Sequence, residues 1–497
     1  MEVKTIFARD ASQKSDKTET LSRKINDSQP NVRIAFALVI AAAFLDVVDF
    51  SIIQIALPTI RDEFLVSLAD SQWIVGAYGL TLAGFLLLSG RAGDIYGQKK
   101  LFILGVSLFT IASMTGALAP SLLSLIISRA IQGVGAAIST VTALAIFTTI
   151  FPEGKERNKA LGLLVAVLSA GFAAGSILGG VLTAAFGWRS VMFVNVPIGT
   201  ATAILSIKYL PRTGGRMRNG RLDLPGSLAS TGGTMLLVYT LTNAATDGFS
   251  ALTTLIPLGL SILTLFTFVF IESRSEAPLM PLSFLRRGTV LNANIISLIV
   301  AAASGGLGFI LTIYLQQILG YSALSTGLVF LPSALIFLVV GGWGSSWFVN
   351  HLGIKRVLFM SLALIIVGNA SLTQISEMGN YLGVEPGMIF WALGASIGFP
   401  ALYIAALTGI KPGEEGLASG VITTSQRVGF PLGLAVLVTV ASIINPQPMG
   451  TGSITAATIV MGFRYAFIAS TIMSIVGFAL VFLIKNEKTA TERPQVP

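Results

Sequence analysis

Long apolar stretches recur along almost the whole chain, separated by short polar segments. Each stretch holds about 20 residues or more, enough for an α-helix rising ~1.5 Å per residue to cross ~30 Å of hydrocarbon. The pattern therefore predicts an all-α integral membrane protein with about fourteen transmembrane helices. The predicted spans are residues 34–58, 72–90, 101–119, 121–150, 160–186, 190–210, 225–245, 251–271, 289–315, 323–349, 354–376, 385–410, 416–445 and 457–484.

The composition agrees with a membrane location. Of the 497 residues, 53% are hydrophobic and only 11% are charged. The mean hydropathy of +0.81 lies far above that of a water-soluble globule. The span 225–245 is the weakest, because Gly, Ser and Thr are frequent in it and its end is polar.

The charged residues are informative through their placement. The chain has 32 Lys and Arg against 23 Asp and Glu, a net charge of +9. In a soluble protein this surplus would suggest nucleic acid, but here it falls mostly in the tails and in alternate loops. The positive-inside rule places those loops and both termini in the cytoplasm, which predicts a multi-pass plasma-membrane protein. We expect a monomer in the lipid bilayer, with no nucleic-acid partner.

Reactive side chains are scarce. Cysteine is absent and histidine occurs once, at His351, which excludes disulfides, thiol nucleophiles and clusters of thiolate or histidine metal ligands. The sequence also shows no nucleotide-binding loop and no soluble domain beyond a short tail. We therefore expect no enzyme, no metal and no cofactor. A membrane-embedded enzyme or sensor is the least supported function.

Two echoes in the sequence indicate a duplicated unit. The spacing G-x8-G-x3-G begins at Gly162 and again at Gly420, 258 residues later, and the loop 90–100 is echoed by 345–356 at an offset of 256. Internal repeats are typical of transporters, whose solute path lies between the repeated bundles. The predicted domains are a disordered cytoplasmic tail (1–33), a six-helix bundle (34–212), a two-helix insert (213–275), a second six-helix bundle (276–485) and a cytoplasmic tail (486–497).

Two carboxylates, Asp46 and Asp49, lie inside the first apolar stretch, in the segment AFLDVVDFSIIQIALP. An ionised carboxylate at mid-membrane costs ~2.5 to 3.5 kcal/mol on insertion scales, so it must face a cavity, find a partner or take up a proton. Three residues apart on a helix, the two acids can share a face, where like charges favour protonation of one of them. The pair predicts a proton-coupling site, and a permanent buried ion pair is the alternative.

Arg129 is the matching cation, in the apolar interior of the fourth span. Counted at ~1.5 Å per residue from the span ends, it lies at about the depth of Asp49. A salt bridge that breaks when the carboxylate gains a proton would couple protonation to helix movement. A static pair that holds the first and fourth spans together would account for the same residues.

Glycines in the fifth span and in the loop 90–100 predict gating elements. Glycines at every fourth residue leave a groove in which another helix can approach closely. The loop GRAGDIYGQKK suits a tight turn, which either latches an inner gate or is a plain positive-inside turn. The predicted gating residues are Gly90, Asp94, Gly97, Lys99, Gly171, Gly175, Gly179 and Gly180.

Polar residues in the second predicted bundle add candidates. Arg427 and Arg464 either contact an anionic part of a substrate or snorkel and pair with carbonyls. Glu385 lies near a predicted outer loop, where we expect it to be solvated. Tyr78 suits packing or a cation-binding role. The predicted substrate-binding residues are Asp46, Asp49, Gln54, Tyr78 and Arg427.

Several of these motifs, in order, resemble signatures of the major facilitator superfamily and of its fourteen-helix drug:proton antiporter family. The segment VDFSIIQIALP resembles the first-helix signature, with Asp49 at its acid, Ser51 in place of Thr and Gln54 in place of Asn. The loop is similar to G-x-L-A-D-R-x-G-R-K, and the fifth span to G-x8-G-x3-G-P-x2-G-G with Ser176 at the proline position. Arg129 stands at the arginine of the motif R-x-x-Q-G-x-G. The resemblance implies that this arginine takes part in proton coupling.

The resemblance implies two six-helix bundles and two linking helices that rock around a central cavity, with substrate leaving as protons enter. We therefore predict a proton-coupled exporter of amphiphilic, drug-like small molecules, driven by the proton gradient. The acids favour cationic substrates and the arginines anionic ones, so the preferred charge stays open. The alternative is a dedicated exporter or carrier of one metabolite, such as a sugar, siderophore or natural product, because a fold does not fix a substrate.

Overall fold

The structure is a computed structural model that describes residues 32–151, 155–211, 223–248, 250–275, 278, 282–285, 289–410, 415–444 and 455–484. Over those residues the regular secondary structure is helical. A helical segment lies at each of the fourteen predicted spans. We number these segments α1 to α14.

The first eight segments are single helices except α6, which is interrupted at Val194. They are α1 Val32–Phe64, α2 Leu68–Tyr96, α3 Gln98–Ala117, α4 Leu122–Ile150, α5 Lys155–Phe186, α6 with its parts Arg189–Phe193 and Asn195–Tyr209, α7 Leu224–Asp247 and α8 Leu252–Arg274.

The later segments include two irregular ones. They are α9 with its parts Val290–Gly305, Leu307–Ile313 and the π-helical Tyr314–Ile318, α10 with its parts Ala323–Val329, Leu331–Ile336, the π-helical Phe337–Gly344 and Ser345–Leu352, α11 Ile354–Leu372, α12 Tyr381–Ala406, α13 Glu415–Ile444 and α14 Ala456–Leu480. A one-turn helix, Leu282–Leu285, precedes α9. We call α1–α6 the first half and α9–α14 the second half.

The described part of the chain contains eleven helices that are long and apolar enough to cross a membrane. That set does not include α2, α5 or α7. The all-α membrane class is therefore confirmed, whereas the count of fourteen crossings and the domain boundaries stay predictions.

Local sequence signals explain where helices begin. The Ser67 hydroxyl accepts the backbone N–H of Asp70 at the start of α2, and Ser121 forms a capping box with Ser124 at the start of α4. Between α2 and α3 the chain reverses at Gly97, whose φ of 96° is a conformation that glycine adopts without strain. The tight turn expected between the second and third spans is present at Gly97, but the rest of residues 90–100, expected as a loop, belongs to α2 and α3.

Glycines bring the same helix pair together in each half. In α5, Gly175 lies against α1, where an added Cβ would come within 2.8 Å of the Val48 carbonyl oxygen. In α13, Gly433 lies against α9, where an added Cβ would overlap the carbonyl oxygen of Ala302. These two glycines occupy equivalent places in the repeated spacing, so the structure agrees with the duplication inferred from the sequence.

A lysine after the second helix of each half binds the end of the sixth. The Lys99 ammonium donates to the carbonyl oxygens of Ile207 and Leu210, each at 2.8 Å. The Lys355 ammonium donates to the carbonyl oxygen of Phe482 at 3.1 Å. The echo between residues 90–100 and 345–356 is thus matched by equivalent contacts.

The two halves meet along α2 with α13 and along α5 with α10, and α7 packs against both α2 and α13. At the end of the molecule where α1 ends, the Arg61 guanidinium donates to Gln317 at 2.7 Å and the Gln316 amide donates to the carbonyl oxygen of Ile55 at 2.9 Å. These bonds join α1 to α9 across the boundary between the halves. Halfway along the helices the boundary widens into cavities.

Candidate functional site

Asp49 is the centre of a buried polar network in the first half. Its side chain is 1% exposed, and its Oδ2 lies 2.5 Å from Nη1 of Arg129. Its Oδ1 accepts one hydrogen bond from the Gln132 amide and one from the Asn195 amide, both at 2.7 Å. The carboxylate therefore receives donors from α4 and α6, as a buried negative charge requires.

Arg129 is fully buried and binds three further partners. Its Nε donates to the carbonyl oxygen of Ile74 at 2.9 Å, and its Nη1 also donates to Gln132 at 2.7 Å. Its Cζ lies 4.3 Å from the centroid of the Tyr78 ring, a cation–π distance. The expected pairing of Arg129 with Asp49 is confirmed, but whether it is a switch or a static pair stays a prediction.

Asp46 has different partners from Asp49, although the two acids are three residues apart. Its Oδ1 accepts a hydrogen bond from the Tyr78 hydroxyl, and its Oδ2 lies 3.1 Å from Nη2 of Arg427. Arg427 belongs to α13, so this ion pair joins the two halves. Tyr78 connects both acids, because its hydroxyl binds Asp46 while its ring covers Arg129.

The larger central cavity lies between α1 and the second half and measures about 450 Å³. Aromatic rings dominate its lining, and the polar groups are two glutamines and two serines. Among the aromatic side chains, Phe337 and Trp391 have ring centroids 5.7 Å apart. The lining includes Phe50, Gln54, Ser304, Phe330, Ser333, Phe337, Trp391, Phe399, Gln426 and Phe430. A volume and lining of this kind suit a small apolar ligand.

A second cavity of about 240 Å³ adjoins the first, between α2 and α13. Tyr78 and Arg427 line it, and the Arg427 side chain is 31% exposed. Neither Asp46 nor Asp49 lines either cavity. Of the predicted substrate-binding residues, Gln54, Tyr78 and Arg427 therefore face a cavity, while the two acids lie behind them.

The predicted gating residues divide between two places. Gly171, Gly175 and Gly179 face α1, whereas Gly180 lies against Leu324 of α10 and so contributes to the contact between halves. Gly90 approaches Val141, Gly97 forms the turn, and Lys99 binds the end of α6. Asp94 lies in α2, and its side chain is outside the described residues. Their roles in gating stay predictions.

Sequence reasoning missed some of the site. In the sequence Asn195 is an ordinary polar residue in an apolar span, yet its amide donates a hydrogen bond to the Asp49 carboxylate. Gln426 and Trp391, which line the larger cavity, carried no sequence signal beyond their position in a helix. The expectation for Glu385 was wrong, since this residue is 6% exposed. Arg464 is exposed, unlike Arg427.

Comparison with known proteins places the chain in a family. The family model described as Major Facilitator Superfamily matches residues 39–434. The chain belongs to the major facilitator superfamily. It is 37% identical over 413 residues to the cephamycin export protein CmcT of Amycolatopsis lactamdurans, which covers 82% of this chain and 84% of that protein. It is 32% identical over 414 residues to the multidrug resistance protein Stp of Mycobacterium tuberculosis, covering 83% of this chain and 76% of that protein.

A solved structure supports the fold. The crystal structure of the human organic anion transporter MFSD10 superimposes with a TM-score of 0.60 at 15% identity, covering 91% of this chain and all of that one. At that identity the likeness shows the fold alone. The superfamily membership expected from the sequence motifs is thus confirmed: the chain is a multi-pass membrane protein of a superfamily of transporters, which are not enzymes.

Proposed function

We propose that this protein exports amphiphilic small molecules in exchange for protons, with Asp49 as the group that takes up and releases the proton. The observation that carries the proposal is the buried Asp49 carboxylate, which faces Arg129 and two amide donors from α4 and α6. Hydrogen bonds of this kind stabilise the charged form, so this arrangement represents the deprotonated state.

Protonation would make this arrangement unfavourable. A neutral Asp49 leaves the guanidinium of Arg129 buried without its counter-charge, and an unpaired buried charge costs about 3–5 kcal/mol. That cost is large enough to favour a second arrangement of α1, α4 and α6 in which Arg129 finds other partners. Proton uptake at Asp49 thereby selects one orientation of the halves, and proton release selects the other.

Proton access to Asp49 requires that second arrangement, because Asp49 does not line either cavity. The route from the cavities passes Tyr78 and Arg427, both of which contact Asp46. Asp46 therefore stands between the cavity and the Asp49 network, where it assists the proton step. Exchange with water is confined to the state in which these contacts have opened.

The relatives support the direction and the substrate class. One is named for export of an antibiotic and another for multidrug resistance. The basic loops favour a cytoplasmic location for both termini and for the end of the molecule that carries Lys99 and Lys355. In that orientation the bonds of Arg61 and Gln316 close the outer end in this structure.

Asp49→Asn tests the proton step. Because asparagine cannot exchange a proton, we expect this variant to lose the uptake of a panel of dyes into inverted membrane vesicles that an imposed pH gradient drives. Substrate-induced quenching in the absence of a gradient should persist, since the cavities are lined by other residues. The matched control is Asp62→Asn, an exposed carboxylate on the same helix.

Gradient-driven dye transport at the wild-type rate in Asp49→Asn would remove this residue from the mechanism. Protein yield and a monodisperse elution profile from size-exclusion chromatography show whether each variant is folded. If Asp49→Asn loses both transport and the folded peak, Asp49→Glu, which keeps the carboxyl group, decides the question. A folded Asp49→Glu variant that transports supports the proton role. An Asp49→Glu variant that also loses transport and the folded peak contradicts it.

The second candidate is a dedicated carrier of one metabolite, and the 240 Å³ cavity favours it because its Arg427 offers a specific charged contact. Growth of cells that express the protein against chemically unrelated toxic compounds separates the two. A multidrug exporter should raise the tolerated concentration of several classes. A dedicated carrier should protect against one class at most.

A further inference from the structure

The two cavities adjoin one another and together form one candidate binding region. They share four lining residues, namely Phe50, Gly305, Gln426 and Phe430. The rings of Phe50 and Phe430 meet edge to face at this border, with centroids 6.4 Å apart. A ligand that occupies both cavities has to pass these rings.

The two parts differ in charge. The larger part offers rings and the amides of Gln54 and Gln426, with no ionised side chain in its lining. The smaller part adds one charged residue, Arg427, and no carboxylate. The region therefore has a guanidinium, paired with Asp46 behind it, at one end and an aromatic chamber at the other.

Arg427 retains capacity for a ligand. A guanidinium carries five N–H donors, and its bond to Asp46 uses Nη2 alone. Its side chain is 31% exposed, whereas Asp46 is buried. A planar guanidinium matches the two oxygens of a carboxylate, which gives a stronger and more directional contact than a neutral hydrogen bond.

We propose that this region binds aromatic amphiphiles through an anionic group, a carboxylate or its equivalent, that pairs with Arg427 while the aromatic body fills the larger cavity. The inference rests on the proposed function and names its substrate class. The sequence left open whether the substrate is cationic, as the acids of the first half suggest, or anionic, as the arginines of the second half suggest. The proposal assigns an anionic substrate.

The ligand's carboxylate competes with Asp46. The ligand's carboxylate and the Asp46 carboxylate both pair with the Arg427 guanidinium. When the ligand takes that place, Asp46 keeps the Tyr78 hydroxyl as its partner. The charged groups around Asp46 are Arg427 from α13, Arg129 beyond the Tyr78 ring, and Asp49 on its own helix.

Equilibrium binding to the full-length protein in lipid nanodiscs tests this proposal without any gradient. The probes are anthracene-9-carboxylate, its neutral carboxamide and the cationic 9-(aminomethyl)anthracene, followed by their fluorescence. We expect the carboxylate to bind about tenfold more tightly than either analogue, the margin that a charged hydrogen-bonded contact provides. Arg427→Gln should remove that margin, and Arg464→Gln, an exposed arginine in α14, should keep it.

Asp46→Asn gives the sharpest prediction, because it removes the competitor. The carboxylate should bind several-fold more tightly to this variant than to the wild type, while the carboxamide affinity stays the same. Unchanged carboxamide binding also shows that the aromatic chamber is intact in each variant. If Arg427→Gln fails to fold, Arg427→Lys serves instead, and it should weaken carboxylate binding while keeping the preference for a negative charge.

Tighter binding of the amine, or a carboxylate affinity that Arg427→Gln leaves unchanged, would overturn the proposal. These results do not depend on proton coupling. A protein that prefers the carboxylate but shows no gradient-driven transport would retain this site and contradict the proposed function. A protein that transports by proton exchange but binds the amine more tightly than the carboxylate would support the proposed function and contradict this site.

Discussion

The two halves share a helical framework but differ at their centres. In both, glycines bring the fifth helix of the half against the first, and a lysine after the second helix binds the end of the sixth. The centre of α1 carries Asp46 and Asp49, whereas the comparable stretch of α9, residues 300–307, reads VAAASGGL and has no ionisable side chain. The two halves thus share their helix packing but differ in the ionisable side chains of their first helices.

The first helix of each half also differs in regularity. α1 runs unbroken from Val32 to Phe64, while α9 is interrupted at Gly306 and ends in a π-helical turn, and α10 contains a second π-helical stretch, Phe337–Gly344. Phe337 and residues next to Gly306 line the larger cavity. π-Helical turns often occur at functional sites, because they redirect side chains. The first half holds the buried Asp46, Asp49 and Arg129, and the second half provides most of the cavity lining.

The largest effect that tests this difference is expected for Arg129. Arg129→Ala leaves the Asp49 carboxylate buried without its cation, so we expect a loss of about 3–5 kcal/mol in the free energy of unfolding. The measurement is chemical denaturation of the detergent-solubilised protein. Adding Asp49→Ala in the same chain should restore most of the stability without restoring transport. A single variant as stable as the double variant would contradict a tightly coupled pair.

An intermediate effect is expected where the halves are alike. Gly175→Ala and Gly433→Ala each push a methyl group against the backbone of the first helix of their half, so each should cost about 1–3 kcal/mol in unfolding free energy. The control is Gly232→Ala in α7, where an added Cβ meets nothing within 4 Å. If only one of the two core glycines were sensitive, the packing would not be equivalent in the two halves.

The smallest effect concerns the lysine anchors. Replacement by methionine keeps the aliphatic stem but removes the donor, which costs about 0.5–1.5 kcal/mol per hydrogen bond. Lys99→Met should therefore destabilise more than Lys355→Met, because Lys99 donates to two carbonyl oxygens and Lys355 to one. Thermal unfolding of the purified variants measures the order, and the reverse order would show that the number of hydrogen bonds does not determine the effect.

Much of the framework was predictable from the sequence. Hydropathy alone predicted where the helices lie, since a chain in hydrocarbon must satisfy its backbone hydrogen bonds within each helix. The repeated glycine spacing predicted a close helix contact in each half, although it did not predict that the partners are α1 and α9. Depth counting also predicted the Asp49–Arg129 pair, because an intramembrane charge needs a partner at its own level.

The sequence by itself determined the membrane class, the superfamily and the residues that must be buried in pairs, because these follow from period, length and the cost of isolated charge. Only the tertiary structure decided that Asp46 and Asp49 take separate partners, that Arg427 lines a cavity while Arg464 is exposed, and that Glu385 is buried. Those outcomes depend on which helix faces come together across hundreds of residues. No local pattern encodes the relative rotation of helices from different halves.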